Sequence, residues 1–148
     1  MRHIRYIAVH CTASQPTQSV DNILKYWKDT LHWKTVGYHF LIEADGTINK
    51  LLDIKEVSNG VQGFNSETIN VCYIGGIDKQ GNALDTRTNN QKISLRKVLT
   101  DLRKLFFYAQ IQGHRDFSPD LDGDGKIEPN EWMKMCPCFD AMAEYKNI

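Results

Sequence analysis

The apolar positions of the chain follow two periods in alternation. Residues 4–9 form a short apolar run bounded by charge, and Ile7-Ala8-Val9 is unbroken, as in a strand buried on both faces. His10 and Cys11 stand at its end. Neighbouring side chains of a strand point to opposite faces, so only one of the two can face a cleft. Val20, Ile23, Leu24, Trp27 and Leu31 recur at helical spacing, which predicts an amphipathic helix with Ser19 as its N-cap. Residues 37–42 read as a strand, and Asp45-Gly46 turns the chain into Thr47-Ile48, because glycine accepts the positive φ of a hairpin turn. Residues 69–74 form another apolar strand, ended by Gly75-Gly76, and residues 77–88 are loop-like. Leu95, Val98, Leu99, Leu102, Leu105 and Phe106 mark the clearest helix, opened by a capping box of Thr88 and Gln91. A short strand over 110–112 leads to Gly113-His114, and 139–145 reads as a final short helix. Strands and helices alternate around one buried sheet, so the fold class is α/β.

A length of 148 residues implies one domain over 1–148. With 41% hydrophobic and 24% charged residues, the composition excludes a disordered, collagen-like or coiled-coil chain. Eighteen Lys and Arg balance eighteen Asp and Glu, which argues against nucleic acid or an anionic membrane as the main partner. No stretch has the length of a membrane span, and Met1-Arg2-His3-Ile4-Arg5 does not open a secretory signal. The expectation is a monomer, cytoplasmic as translated, whose four cysteines are reduced and available as metal ligands or nucleophiles.

Charge is uneven. Between His114 and Asp140 three cations face seven acids, a local cluster that points to a cation site. Within it, residues 120–131 fit the twelve-residue calcium loop. Asp120, Asp122 and Asp124 offer oxygens at positions 1, 3 and 5. Gly125 makes the sharp turn, Lys126 contributes its backbone carbonyl, and Glu131 is the bidentate twelfth position. There is one such loop, and residues 113–119 before it are not helical, so a paired calcium sensor is not expected. The alternative is a solvated acidic loop that holds no ion.

His10 and His114, with Cys136 or Cys138, make a three-ligand zinc set with an open fourth position, as catalytic sites have. Spacing alone leaves the choice of cysteine open. It also leaves open a cysteine hydrolase built on Cys11 and a histidine. Cys11 and Cys72 read as core thiols, His3 and His32 as surface residues, and His39 as pointing away from the cleft. Trp27, Trp33 and Trp132 read as packing residues, with Trp132 the best placed to touch a substrate.

Several motifs occur in order: Ile7-Ala-Val-His10-Cys-Thr-Ala-Ser, Val36-Gly-Tyr38-His-Phe-Leu-Ile with Asp45-Gly-Thr, Gly63-Phe-Asn65, Val71-Cys-Tyr-Ile-Gly-Gly76, Gly113-His114, and Lys134-Met-Cys136-Pro-Cys-Phe-Asp140. Together they resemble the zinc N-acetylmuramoyl-L-alanine amidases of the phage-lysozyme and peptidoglycan-recognition-protein type, over nearly the whole chain. The resemblance implies a mixed central sheet flanked by helices, and zinc held by His10, His114 and Cys136. It also implies catalytic roles for Tyr38 and Lys134, which would donate to the developing oxyanion or move a proton to the leaving nitrogen. The bond implied is the amide between N-acetylmuramic acid and L-alanine in bacterial peptidoglycan. The setting implied is endolysin-like, bacterial or prophage, with action on the wall after release or export. A non-catalytic peptidoglycan-binding module is the alternative. Two departures stand out: Gly60 occupies a place where many members have His, and the calcium-type loop is an insertion.

Overall fold

The computed structural model describes residues 2–148. Five strands form one mixed sheet: β1 (Tyr6–Cys11), β2 (Phe40–Ile42), β3 (Ile48–Lys50), β4 (Thr68–Tyr73) and β5 (Gln110–Gly113), in the order β3-β2-β4-β1-β5. β4 and β5 flank β1 in parallel and β2 runs parallel to β4, while the β2–β3 hairpin is antiparallel. The helices are α1 (Val20–Lys25), α2 (Asn89–Leu105) and α3 (Ala141–Glu144). Thr88 and Gln91 close the expected capping box at the start of α2. Ser19 caps α1, its hydroxyl accepting the Asn22 N–H at 3.1 Å. Among the described residues no helix is long and apolar enough to cross a membrane.

Side-chain alternation along β1 and β4 divides the core in two. Ile7, Val9, Cys11, Ile69, Val71 and Tyr73 pack with Leu95, Leu99 and Leu102 of α2. On the opposite face Cys72 and Ile74 join Leu41 against Ile23 and Trp27. The same alternation sends His10 and Asn70 to that second face. They are diagonal neighbours, since Ala8 pairs with Asn70 and His10 with Cys72. As the period of a strand requires, His10 and Cys11 therefore face opposite sides of the sheet.

Several sequence expectations are corrected. β1 begins at Tyr6 and runs through Cys11, and β4 ends at Tyr73. β2 starts only at Phe40: Gly37 passes against the indoles of Trp27 and Trp33, and His39 already bonds through its backbone to Asn70 and Leu51. The first helix gives way after Lys25 to a π-helical turn, Tyr26–Thr30, closed by the Leu31 N–H on Tyr26 O at 3.1 Å. That wider turn takes Leu31 off the apolar stripe, leaving it exposed. Phe106 is the C-cap of α2. The last helix starts only after Asp140, whose carboxylate accepts the Ala143 N–H, so Phe139 lies outside it.

The segment before α3 is firmly anchored. The Arg87 guanidinium is buried between Asp85 at 2.9 Å and Glu144 at 2.6 Å and lies 3.3 Å from the centre of the Phe139 ring. The Tyr73 hydroxyl donates to Pro137 O at 2.7 Å from beneath. These contacts fix the backbone on which Cys136 and Cys138 sit.

Candidate active site

A cleft of about 400 Å³ opens on the α1 side of the sheet, lined by Tyr38, Gly60, His114, Lys134 and Cys136 among others. His10, wholly buried near the end of β1, lies beneath these residues. Its ring centre is 4.8 Å from that of His114 and 4.9 Å from that of Tyr38.

Backbone packing brings the remote segments together. A Cβ on Gly113 would meet Pro137 Cδ at 2.6 Å, so only glycine lets the end of β5 pass under the Cys136–Pro137 bond. The next residue, His114, is thereby set beside Cys136, and the Arg115 N–H locks the approach by donating to Cys136 O at 2.9 Å. Cys136 Sγ lies 3.9 Å from His10 Nδ1 and accepts the Cys11 N–H at 3.1 Å. One ligand atom from each of His10, His114 and Cys136 lies within 4.8 Å of the others.

The donor set fits zinc. Zinc with ligands at about 2.0–2.3 Å would need donor atoms about 3.5 Å apart, and Cys136 Sγ and His10 Nδ1 stand at 3.9 Å. Burial pushes His10 well below the ordinary histidine range, and burial followed by the Lys134 charge takes His114 to about 4. Both rings are therefore neutral at neutral pH, the form that ligates metal.

The other candidates separate clearly. Cys138 turns away at φ +70°, with its Sγ 3.9 Å from Cys11 Sγ and 3.4 Å from Gly76 O. Hydrogen bonding with the Cys136 thiol, together with burial, pushes Cys11 up to about 12. Such a thiol is not an activated nucleophile, and Cys11 faces away from the histidines, so a Cys11 hydrolase finds no support in the geometry. Cys72 is buried in the core, and His3 and His32 are exposed. Burial also pushes the Tyr38 phenol well up, which keeps its proton on. Lys134 is exposed on the rim.

Trp33, read from sequence as packing, lines the cleft together with Phe64. Trp132 does not line it and instead packs against the Arg115 guanidinium at 3.8 Å. The sequence reading also missed Asn70, whose carboxamide touches His10 from below. Its only signal was a polar residue at the centre of an apolar strand.

The acidic loop connects two segments that line the cleft, one ending at Ser118 and the other starting at Met133. Carboxylate oxygens of Asp120, Asp122 and Glu131 lie within 4.8 Å of one another, while Asp124 groups with Asp122 and Glu128. The loop's acids therefore form two overlapping sets rather than one cage. Asp120 accepts the N–H groups of Gly123 and Gly125, and Asp124 accepts the Lys126 N–H. Glu131 is buried and accepts the N–H groups of Leu121 and Glu128. The Asp124 charge pushes the Glu128 carboxyl up.

The family model described as N-acetylmuramoyl-L-alanine amidase matches residues 1–131, ending short of Lys134 and Cys136. The endolysin of Klebsiella phage KP32 is 35% identical over 135 residues, covering 90% of this chain and 80% of that protein. Among solved structures, the Ph2119 endolysin from the Thermus scotoductus MAT2119 bacteriophage superposes with a TM-score of 0.71 at 22% identity. That match covers 93% of this chain and 79% of the other. PGRP-SA of Apis mellifera gives a TM-score of 0.69 at 22% identity, covering 97% and 82%.

Proposed function

Since the chain belongs to the N-acetylmuramoyl-L-alanine amidase family and is a peptidoglycan amidase, we propose that it works with zinc held by His10, His114 and Cys136. The bond cut is the amide joining the lactyl group of N-acetylmuramic acid to L-alanine of the stem peptide. The observation that carries this reading is the meeting of two neutral imidazoles and a thiol at one point of a cleft, with one side open. Bound zinc supplies Lewis acidity, polarising an amide carbonyl and bringing the pKa of water to about 7.

The chain's own residues would do the rest. The protonated Tyr38 phenol, beside the His10 ring, donates to the carbonyl oxygen as negative charge grows on it. Lys134, on the rim, donates to the same oxygen or delivers the proton that the leaving alanine nitrogen needs. Trp33 and Phe64 offer apolar surface to the substrate along the cleft wall. The wall itself is the partner, and the role is endolysin-like.

Digestion of purified muropeptides and intact peptidoglycan, read by mass spectrometry, tests the proposal. Sugar freed from an intact stem peptide is the expected product. His10→Ala is expected to lower its yield about 1,000-fold, the several kcal/mol that a lost Lewis acid represents. Retention on peptidoglycan without cleavage by zinc-loaded protein would overturn the reading in favour of a binding module.

Calcium in the 120–131 loop is the second element of the proposal. The crowded carboxylates of Asp120, Asp122, Asp124 and Glu131, with the Lys126 carbonyl, would be relieved by a divalent cation. Glu131 is three residues from Lys134, so an ordered loop would steady the catalytic rim. Calcium removal with zinc retained is expected to lower the melting temperature by several degrees, as loss of about 1–2 kcal/mol does in a chain of this size. An unchanged melting temperature and unchanged activity would refute it.

A further inference from the structure

Below the proposed metal ligands runs a chain of polar side chains that zinc chemistry does not by itself require. His10, His39, Ser58 and Asn70 are all fully buried. Four polar groups sealed into a sheet face are tolerated only if each is hydrogen-bonded. Here the bonds have a single direction. His39 Nδ1 accepts the backbone N–H of Asn70 at 3.0 Å, so that nitrogen carries no proton. The ring's proton sits on Nε2, which donates to Glu56 O at 2.9 Å. Ser58 Oγ lies 3.3 Å from His39 Nδ1 and donates to it, which leaves Oγ to accept from Asn70 Nδ2 at 2.8 Å. The carboxamide is thereby oriented with Oδ1 toward His10, where it accepts the Nε2 proton at 2.8 Å.

A neutral imidazole has one N–H. With that proton committed to Asn70, His10 Nδ1 keeps its lone pair, and Nδ1 is the nitrogen facing Cys136 Sγ. A flipped carboxamide would present N–H to Nε2, force the proton onto Nδ1, and remove the donor. The backbone amide at Asn70 thus sets, through His39 and Ser58, which nitrogen of His10 can take a metal.

Gly60 belongs to the same arrangement. A Cβ there would lie 2.2 Å from Asn70 Cγ, 2.3 Å from Oδ1 and 2.5 Å from Nδ2. The carboxamide is short and bonded at both ends, so it cannot swing aside without breaking its hold on His10. The missing side chain at position 60 is the space that Asn70 occupies.

We propose that Asn70 is the positioning residue that fixes the orientation and tautomer of His10 for metal binding, and that Gly60 is bare in order to admit it. The inference rests on the zinc reading above and assigns a role to a pair of residues rather than to a new ligand.

The test uses the whole chain and two readouts besides activity. ¹⁵N NMR of the metal-free protein reads the His10 tautomer, and competition titration reads the zinc Kd. Asn70→Leu and Gly60→Ala are each expected to raise the zinc Kd about 10–100-fold, the usual cost of losing a partner behind a metal ligand. In both, part of the His10 population should move from the Nε2–H to the Nδ1–H tautomer. Asn70→Asp keeps an acceptor oxygen and is expected to hold the Nε2–H tautomer and a Kd within about threefold of the parent. Gly60→Ala added to Asn70→Ala should do no further harm, because position 60 acts through Asn70.

An unchanged tautomer and Kd in Asn70→Leu would overturn the proposal, as would additive losses in the Gly60→Ala/Asn70→Ala pair. A variant that loses melting temperature but keeps the tautomer would make Asn70 a packing residue only and would equally overturn it. If the parent and His10→Ala bound zinc alike, the zinc reading would fail, while the tautomer measurement would still decide whether Asn70 governs His10.

Discussion

A Cys136→Ser substitution is expected to lower the rate of muropeptide cleavage about 1,000-fold or more, whereas Cys138→Ser leaves it within a few-fold. The two cysteines are separated by one proline and are indistinguishable by composition. Their surroundings are opposite. Cys136 Sγ faces His10 Nδ1 and receives a backbone N–H, which is what a thiolate ligand needs. Cys138 Sγ faces the Cys11 thiol and the Gly76 carbonyl on the far side of the sheet, and that contact with Cys11, with burial, pushes its thiol up. Serine is a poor zinc ligand at neutral pH, so the first substitution should remove both bound metal and turnover. Metal content by mass spectrometry, beside initial rates, checks both halves. Equal losses in the two variants would place the ligand wrongly.

Lys134→Ala and Tyr38→Phe are each expected to lower kcat about 100- to 1,000-fold with little change in KM, the cost of deleting one donor from an oxyanion. The two residues reach the cleft from unrelated parts of the fold, Tyr38 from the segment ahead of β2 and Lys134 from the segment after the acidic loop. Tyr38 is held rigidly between the Trp27 and His10 rings, with centres 5.3 and 4.9 Å away. Lys134 is exposed, and among the described residues no hydrogen bond or ion pair holds its side chain. The loss in Tyr38→Phe should therefore be insensitive to ionic strength, while the Lys134 contribution weakens in salt. Zinc affinity should be unaltered in Tyr38→Phe, because its hydroxyl is not among the ligands. Steady-state kinetics at low and high salt, with metal content measured in parallel, would show the split. A KM effect alone would assign these residues to substrate binding.

Much of this site was readable in the sequence because its elements carry strong local rules. The unbroken apolar run before His10 marks a strand buried on both faces, and the period of two puts His10 and Cys11 on opposite sides of it. The capping box at Thr88 fixed the start of α2 to the residue. What stayed hidden depends on contacts between remote segments. The π-helical turn at Tyr26–Thr30 moved Leu31 off a face it fits by spacing, and brought Trp33 to the cleft. The outward turn of Cys138 depends on a left-handed backbone conformation that cysteine rarely takes. Asn70 had no motif of its own, because its meaning lies in one diagonal neighbour across the sheet and one absent Cβ at position 60.

The proposed ligands also have a consequence for the chain as a polymer. His10 and Cys136 stand 126 residues apart, so an ion shared between them closes a loop almost as long as the protein. Loop-closure entropy grows as (3/2)RT ln n, and folding rather than metal binding bears that cost, so an ion at the assembled site adds its binding free energy to the folded state alone. The same separation makes the site one of the last parts of the molecule to assemble, since its members meet only once β1, β4 and β5 have found their parallel partners. Partly folded or internally cleaved chains would hold the ligands individually but not as a set. On this reading, an enzyme that attacks the wall on which a cell depends acquires its reactive centre only after the rest of its fold is complete.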